Sequence, residues 1–308
     1  MPDPLVSVVL PTHNGSRFLG QAIESCLNQS YSNWELILVD DASTDDTPEI
    51  VSRYAKKDSR IKSVIHKVNR KLPASLNTGF AMAKGEMLTW TSDDNCYRGS
   101  ALEAMVEFLV SNPEIGIVYS DASYMDEAGR DMGTLIAPPP DDLPYWNSVG
   151  GCFLYRTLVR ETIGNYDENL FLAEDYDYWL RAYNRFQFHH LSQNLYLYRL
   201  HAASLSQTEP EATKLAVRHM MEQYLAQPLW EGRSRALAYL RLARDAASLK
   251  QRWKAVCYFC QAGLANPRSL FTKFALPTPV QILLGPSGFA HLKSFSAKKG
   301  HEFPGSGV

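Results

Sequence analysis

The chain opens with short apolar runs that alternate with amphipathic stretches. Leu5-Val6-Ser7-Val8-Val9-Leu10 is continuous, rich in β-branched residues and ended by Pro11, the pattern of a strand buried on both faces. Pro11-Thr12-His13-Asn14-Gly15 is turn chemistry. A helix is predicted from Phe18 to Asn28, with Leu19, Ala22, Ile23, Cys26 and Leu27 on one side. Trp34-Glu35-Leu36-Ile37-Leu38-Val39 is a second strand that runs directly into Asp40-Asp41-Ala42-Ser43. Thr47 and Pro48 mark the next helix start, with proline at the first helical position. Ile61 to Ile65 gives a third strand, Pro73 to Ala83 a third helix, and Met87 to Thr91 a fourth strand. A βα unit repeated in this way predicts a largely parallel sheet with right-handed crossovers.

The pattern changes after Ser100, which with Glu103 has capping-box spacing ahead of a helix from Ala101 to Val110. Ile115 to Tyr119 is another strand, and Glu127-Ala128-Gly129-Arg130 reads as a hairpin turn, so antiparallel pairing begins here. Pro138-Pro139-Pro140 lies in a loop, and Gly150-Gly151 leads into a β-like Cys152-Phe153-Leu154-Tyr155. Phe171 to Arg181 opens a helix with acids in its first turn, and Leu195 to Leu200 is a final strand followed by His201. These elements predict an α/β domain over 1–206 and a helical region over 207–308. Within the latter, Ala255, Phe259, Ala262 and Pro267, with Leu242 and Ala243, stand at the offsets of one tetratricopeptide-like hairpin at about 236–269. One repeat cannot bury its own face. Packing as a generic helical hairpin is the expected meaning, with partner binding second, and a flexible tail follows Pro279.

Composition narrows the class. The chain has 308 residues, 45% hydrophobic and 21% charged, as in ordinary globular proteins. Its formal charge of −2 gives no electrostatic reason to expect nucleic acid. No apolar run approaches the ~20 residues of a membrane span, and the N-terminus lacks a signal-peptide pattern. Five scattered cysteines suggest no disulfide framework, so a cytoplasmic protein is the simplest expectation. Cys257 and Cys260 form C-x-x-C without the further ligands of a zinc site, which favours two small helix residues. The phosphate-binding patterns G-x-G-x-x-G and G-x-x-x-x-G-K-[ST] are absent, which disfavours dinucleotide dehydrogenases and P-loop enzymes.

The candidate chemistry centres on Ser92-Asp93-Asp94-Asn95, which follows a buried strand at the sheet end where open α/β folds bind ligands. Adjacent carboxylates repel, and a divalent cation carrying a nucleoside diphosphate would offset that repulsion. Capping of the next helix is the plain alternative for an isolated Asp-Asp pair. Several separated motifs fit the same ligand, however, and together they resemble the inverting glycosyltransferases of family 2, with the nucleotide-sugar-binding fold called GT-A. The resemblance spans roughly the first two hundred residues. Val8-Val9-Leu10-Pro11-Thr12-His13-Asn14 resembles the family's opening strand and turn, and Val39-Asp40-Asp41-Ala42-Ser43 its base-reading motif. Asn77-Thr78-Gly79, Ala83-Lys84-Gly85-Glu86 and Ser92-Asp93-Asp94 are similar to the run into its metal motif. Glu174-Asp175 resembles the motif of the catalytic base, and His201 with Ser204 resembles the metal-side histidine. The chain departs from the family at His13, where an aromatic residue commonly stacks on the base. It departs again at Leu76, in place of an arginine, so that Arg70 or Lys71 becomes the candidate diphosphate contact. Ser92 replaces the first aspartate of the D-x-D form, and no Q-x-x-R-W motif of processive members is present.

The resemblance implies a metal-dependent inverting transferase that moves one sugar from a nucleoside-diphosphate sugar, UDP-linked by preference, to a saccharide, lipid-linked or other hydroxyl acceptor. Cell-surface polysaccharide or glycoconjugate synthesis is the implied setting, with peripheral association at the inner membrane face and a homodimer compatible with it. Mn²⁺ or Mg²⁺ would be held by Asp94 and His201. Asp93 would bond the donor's ribose or sugar, with the metal as its alternative partner. Asp41 would accept from the N–H edge of a uracil-like base, and a turn-capping role is compatible with that. Pro11, Thr12, His13 and Asn14 would frame the base, and Arg70 the diphosphate. Asp175 is the expected base, with Glu174 beside it; Asp177 is the runner-up, but two residues further along a helix it should point elsewhere. The plain reading of these acids is their preference for a helix N-terminus. Gly151 would permit close approach of a sugar. Trp179 and Arg181 would line the donor or acceptor pocket, with a core tryptophan and a surface ion pair equally ordinary. The rivals are a sugar-1-phosphate nucleotidyltransferase, which needs a basic Gly-rich first loop that is not present here, and a non-catalytic nucleotide-sugar-binding protein of the same fold.

Overall fold

All seven residues of strand β1 (Val6–Thr12) and of β2 (Trp34–Asp40) are buried, because helices cover both faces of the parallel sheet they form. A computed structural model describes residues 3–228 and 230–275. It divides into two units, Met1–Pro140 with Ser148–Pro210, and Asp141–Asn147 with Glu211–Val308.

The first unit begins as repeated βα units. Helix α1 (Leu19–Leu27), α2 (Thr47–Lys57) and α3 (Lys71–Met82) connect β1, β2, β3 (Ile61–Ile65) and β4 (Met87–Trp90). These strands lie parallel in the order β3-β2-β1-β4. The register sets Val8 beside Leu36 and Val9 beside Trp90, so the loops after β2, β1 and β4 emerge side by side at one sheet end. Gly79 lets α3 lie close on the sheet: a Cβ there would stand 2.4 Å from Val9 Cγ1.

The sheet then turns mixed. The later elements are β5 (Cys96–Tyr97), α4 (Ala101–Ser111), β6 (Ile115–Met125), β7 (Asp131–Leu135), β8 (Phe153–Arg156), α5 (Thr157–Ile163), α6 (Glu174–Tyr183), β9 (Gln187–Arg199) and α7 (Leu205–Thr208). The order continues β4-β8-β6-β9-β5, with β7 on β6. β8 is antiparallel to both β4 and β6, whereas β6 and β9 run parallel. The strands β6 and β9 are longer than their apolar stretches predict, because mutual pairing carries their polar residues along.

Two local expectations are corrected. Pro11 does not end the first strand, which runs through Thr12. Val9 and Pro11 face β4, whose ladder with β1 ends at the Val9–Trp90 pair, so the missing Pro11 donor falls where no partner strand remains. Ser100 and Glu103 form no capping box: Ser100 makes no side-chain cap bond, Glu103 accepts from Ser30 Oγ, and Gln29 Oε1 accepts from Leu102 N at 2.9 Å. A residue from an adjacent helix end has taken over the cap.

The second unit is helical, with α8 (Pro210–Leu225), α9 (Gly232–Ser248), α10 (Arg252–Ala265) and a 3-10 turn at Pro267–Phe271. Helices α9 and α10 occupy the span where the hairpin is expected. Ala246, Ala247 and Ala255 form one contact, and Leu237, Leu240 and Ala262 join Tyr145 and Phe274 in another. Cys257 and Cys260 are free thiols on α10. The expected tail after Pro279 lies outside the described residues. No helix among the described residues is long and apolar enough to cross a membrane.

Candidate active site

The loops after β1 and β2 are joined by their own polar groups. His13 Nδ1 lies 2.8 Å from the Asp41 carbonyl, Asn14 N donates to Ser43 Oγ at 2.8 Å, and Thr44 N donates to Asn14 Oδ1 at 2.8 Å. Asn14 and Ala42 have positive φ of 55° and 59°, which turns both loops sharply at the sheet end. Asp40 is buried, with one oxygen accepting from Ser43 N at 3.0 Å and the other without a partner.

Asp41 organises the neighbouring loop. Its Oδ1 accepts from Arg70 N at 2.8 Å and meets His66 Nδ1 at 2.7 Å, while Oδ2 accepts from Lys71 N at 2.8 Å. His66 Nε2 reaches Thr78 Oγ1 at 3.0 Å on α3. The carboxylate thus anchors the residues that lead into α3, with room for one further donor at Oδ2. The Arg70 side chain is exposed, 3.4 Å from Glu168.

The acidic doublet sits on the loop after β4. Thr12 Oγ1 donates to Asp93 Oδ2 at 2.5 Å, which links the ends of β1 and β4. Gly15 lies against this bond: a Cβ there would be 2.0 Å from Asp93 Oδ2. Burial, and then the Asp94 charge, push the Asp93 carboxyl up to about 7. Asp94 Oδ2 is 2.9 Å from His201 Nε2, across a long sequence separation, and Phe18 packs on the His201 ring at 5.1 Å. Asp94 Oδ1 is buried without a hydrogen-bond partner. A buried carboxylate oxygen left unpaired is costly, and together with the imidazole it forms a donor pair that suits a divalent cation. No set of three or more such side chains is grouped for a metal among the described residues, so phosphate or water oxygens would complete the shell.

Arg199 holds this corner and carries no sequence signal beyond its place two residues before His201. The side chain is 1% exposed. Its Nε donates to the Asp94 carbonyl at 2.8 Å, Nη1 to the Asp126 and Glu127 carbonyls at 3.0 and 3.1 Å, and Nη2 to Gln21 Oε1 at 2.6 Å. Its backbone N donates to Asn95 Oδ1 at 2.8 Å, and the guanidinium lies over Phe18 at 4.4 Å. Arg199, Gln21 and His66 are site-forming residues that sequence reasoning missed, since each acts through a long-range contact.

Glu174 and Asp175 open α6. Burial, then the Asp175 charge, raise the Glu174 carboxyl to about 8, and its Oε2 is buried without a partner. Asp175 is partly exposed. Asp177 is buried and turned away, with its Oδ2 accepting from Arg181 Nε at 2.8 Å. The pocket-lining expectation for Trp179 is corrected. Trp179 is 0% exposed within an aromatic core with Phe153, Tyr155 and Tyr178, and Arg181 donates to Asp177 Oδ2 and the Ile163 carbonyl, with its Nη2 buried and without a partner. Gly151 lies against Tyr196: a Cβ there would be 2.9 Å from its ring, whose hydroxyl lies 2.7 Å from Thr91 Oγ1, one residue before the doublet loop.

Comparison with known proteins agrees with this arrangement. The family model for glycosyl transferase family 2 matches residues 7–168. The putative teichuronic acid biosynthesis glycosyltransferase TuaG of Bacillus subtilis is 30% identical over 68% of this chain and 85% of its own length. An uncharacterized protein of Sinorhizobium fredii, y4gI, is 31% identical over 72% of this chain, which spans 26% of that relative. Among solved structures, S. aureus TarS 1-349 in complex with UDP matches with a TM-score of 0.65 at 20% identity, over 98% of this chain and 94% of that one. Mannosyltransferase PcManGT from Pyrobaculum calidifontis, in complex with GDP-Man and Mn²⁺, matches with a TM-score of 0.59 at 19% identity, over 96% and 88%. With the parallel half-sheet, the acidic doublet at its open end and more than half of its length matched by the family model, this chain belongs to glycosyl transferase family 2 and is a glycosyltransferase of the GT-A fold.

Proposed function

We propose that the enzyme transfers one sugar from a UDP-linked donor to a hydroxyl acceptor with inversion, in cell-surface polysaccharide or glycoconjugate synthesis, and that it uses Mn²⁺ or Mg²⁺. The observation that carries the metal reading is the buried, unpartnered Asp94 Oδ1 beside the Asp94–His201 pair. The complexes of TarS with UDP and of PcManGT with GDP-Man and Mn²⁺ support a nucleotide-sugar donor and a divalent ion. The name of TuaG supports the polysaccharide setting.

Asp94 and His201 are the residues to hold the cation, which when bound supplies Lewis-acid stabilisation of charge on the leaving diphosphate. Asp41 presents its remaining Oδ2 lone pair to the N–H edge of the base, and Pro11, Thr12, His13 and Asn14 frame that base. Arg70, on the loop that Asp41 holds, faces the diphosphate, while Asp93, fixed by Thr12, bonds the donor ribose or sugar. The acceptor oxygen attacks the anomeric carbon from the face opposite the diphosphate. Its proton passes to Asp175, and the electron pair of the broken carbon–oxygen bond leaves with the diphosphate.

The test is a binding and turnover panel of UDP-, GDP- and dTDP-sugars with Mn²⁺ or Mg²⁺. Asp94→Ala is expected to lose metal-dependent donor binding. Asp175→Asn is expected to bind donor normally and lose about 10²–10⁴-fold in transfer rate. Undiminished transfer by Asp175→Asn would remove the base assignment, and unchanged metal-dependent binding by Asp94→Ala would remove the metal site.

A further inference from the structure

Helix α10 carries an apolar stripe that faces outward within its own unit. Trp253 and Leu264 stand about three turns apart and so share one face, with Cys260 between them. They are 78% and 85% exposed, and Cys260 is exposed as well. Ala255 and Ala262, on the opposite face, are fully buried. Trp253 is flanked by Arg252 and Lys254, both exposed. In the following 3-10 turn, Phe271 is 86% exposed. An exposed tryptophan, leucine and phenylalanine in one short segment are unusual for a surface that faces only water.

The charge pattern of this segment differs from that of the rest of the chain. Between Asp245 and Glu302 there is no carboxylate, while lysine or arginine stands at 250, 252, 254, 268, 273, 293, 298 and 299, in a protein of net charge −2. Lys273 is 3.3 Å from Asp142. Lys250, Arg252, Lys254 and Arg268 pair with no carboxylate among the described residues. Residues 276–301 bring further lysines of the same sign, and so does a second copy of this segment; neither offers charge complementarity to the stripe. A basic surface with protruding Trp, Leu and Phe has its complement in an anionic bilayer, where cations meet headgroups and the rings enter the interface.

We propose that the α10 face, from Lys250 to Phe271, docks the enzyme on an anionic lipid bilayer through Trp253 and Leu264, with Arg252, Lys254 and Arg268 bound to headgroup phosphates. The site uses none of the transfer residues, so its failure leaves the transferase reading intact.

The full chain is sedimented with vesicles of phosphatidylcholine alone and of phosphatidylcholine mixed with phosphatidylglycerol. It is expected to bind the mixed vesicles only, and more weakly as salt rises. Arg252→Gln with Lys254→Gln should weaken binding about 30-fold, since each basic residue contributes about fivefold, or about 1 kcal/mol. Trp253→Ala with Leu264→Ala should weaken binding while preserving its salt dependence, and both double variants should keep wild-type hydrolysis of soluble donor. Three results overturn the proposal: no binding to mixed vesicles, binding that survives both variants, or a dimer in sedimentation velocity that Trp253→Ala with Leu264→Ala dissociates.

Discussion

Arg199 gives the sharpest test of how the corner around Asp94 is built. Its buried guanidinium donates to four oxygen acceptors, on Asp94, Asp126, Glu127 and Gln21. No carboxylate among the described residues pairs with it, so carbonyl and amide dipoles, with the face of the Phe18 ring, solvate the charge. Arg199→Met removes those donors while keeping much of the apolar stem. An acceptor left unpaired costs about 1–3 kcal/mol, and at the lower end four come to about 4 kcal/mol. Relief from no longer burying a cation offsets part of this. A net loss of about 2–4 kcal/mol is therefore expected in urea unfolding. Arg199→Lys keeps the charge but cannot reach four separated acceptors with one ammonium, so it should lose about half as much.

Stability alone would not show that Arg199 positions Asp94. The distinguishing readout is affinity for Mn²⁺ with UDP by titration calorimetry, expected to fall about 10–100-fold in Arg199→Met. Gly79→Ala is the control. Its new Cβ would be 2.4 Å from Val9 Cγ1, so it should lose about 1–3 kcal/mol by overpacking, remote from the doublet, with metal–nucleotide affinity unchanged. An unfolding midpoint like that of wild type in Arg199→Met, or an affinity loss no greater than that of Gly79→Ala, would refute the reasoning.

Two further predictions follow from the same geometry. Gly15→Ala places a Cβ 2.0 Å from Asp93 Oδ2 and 2.5 Å from Thr12 Oγ1. These are side-chain ends that can move, so the fold should persist by circular dichroism while donor affinity falls about tenfold as the Thr12–Asp93 bond is displaced; unchanged affinity would show that this bond is not part of the site. Glu174 is raised from 4.5 to about 8 in the folded chain. The folded state therefore holds a proton that the unfolded state has lost, and the stability linked to Glu174 is complete below 4.5 and declines as pH rises toward about 8. Melting temperatures across that range should fall more steeply for wild type than for Glu174→Gln; parallel curves would contradict the shift.

The repeating strand–helix pattern up to Trp90 was legible along the chain because burial on both faces of a parallel sheet writes itself as unbroken apolar runs. The acidic doublet was legible for a related reason: adjacent carboxylates after such a run have few structural uses. Other features depend on where distant segments meet. Pro11 is tolerated inside a strand because the neighbouring ladder has already ended. Glu103 was taken by Ser30 rather than by a cap. Trp179, close to Glu174 and Asp175 in sequence, faces inward because the helix that begins at Glu174 lays its aromatic side on β8. His66 and Arg199 gain their roles from Asp41 and Asp94, partners that no local pattern connects to them. Local sequence determined which segments form strands and helices, because those propensities and periodicities act over a few residues. Tertiary structure alone decided which polar groups are satisfied and which carboxylate oxygens, on Asp40, Asp94 and Glu174, are left unpaired, because burial and hydrogen-bond partners are properties of the assembled chain.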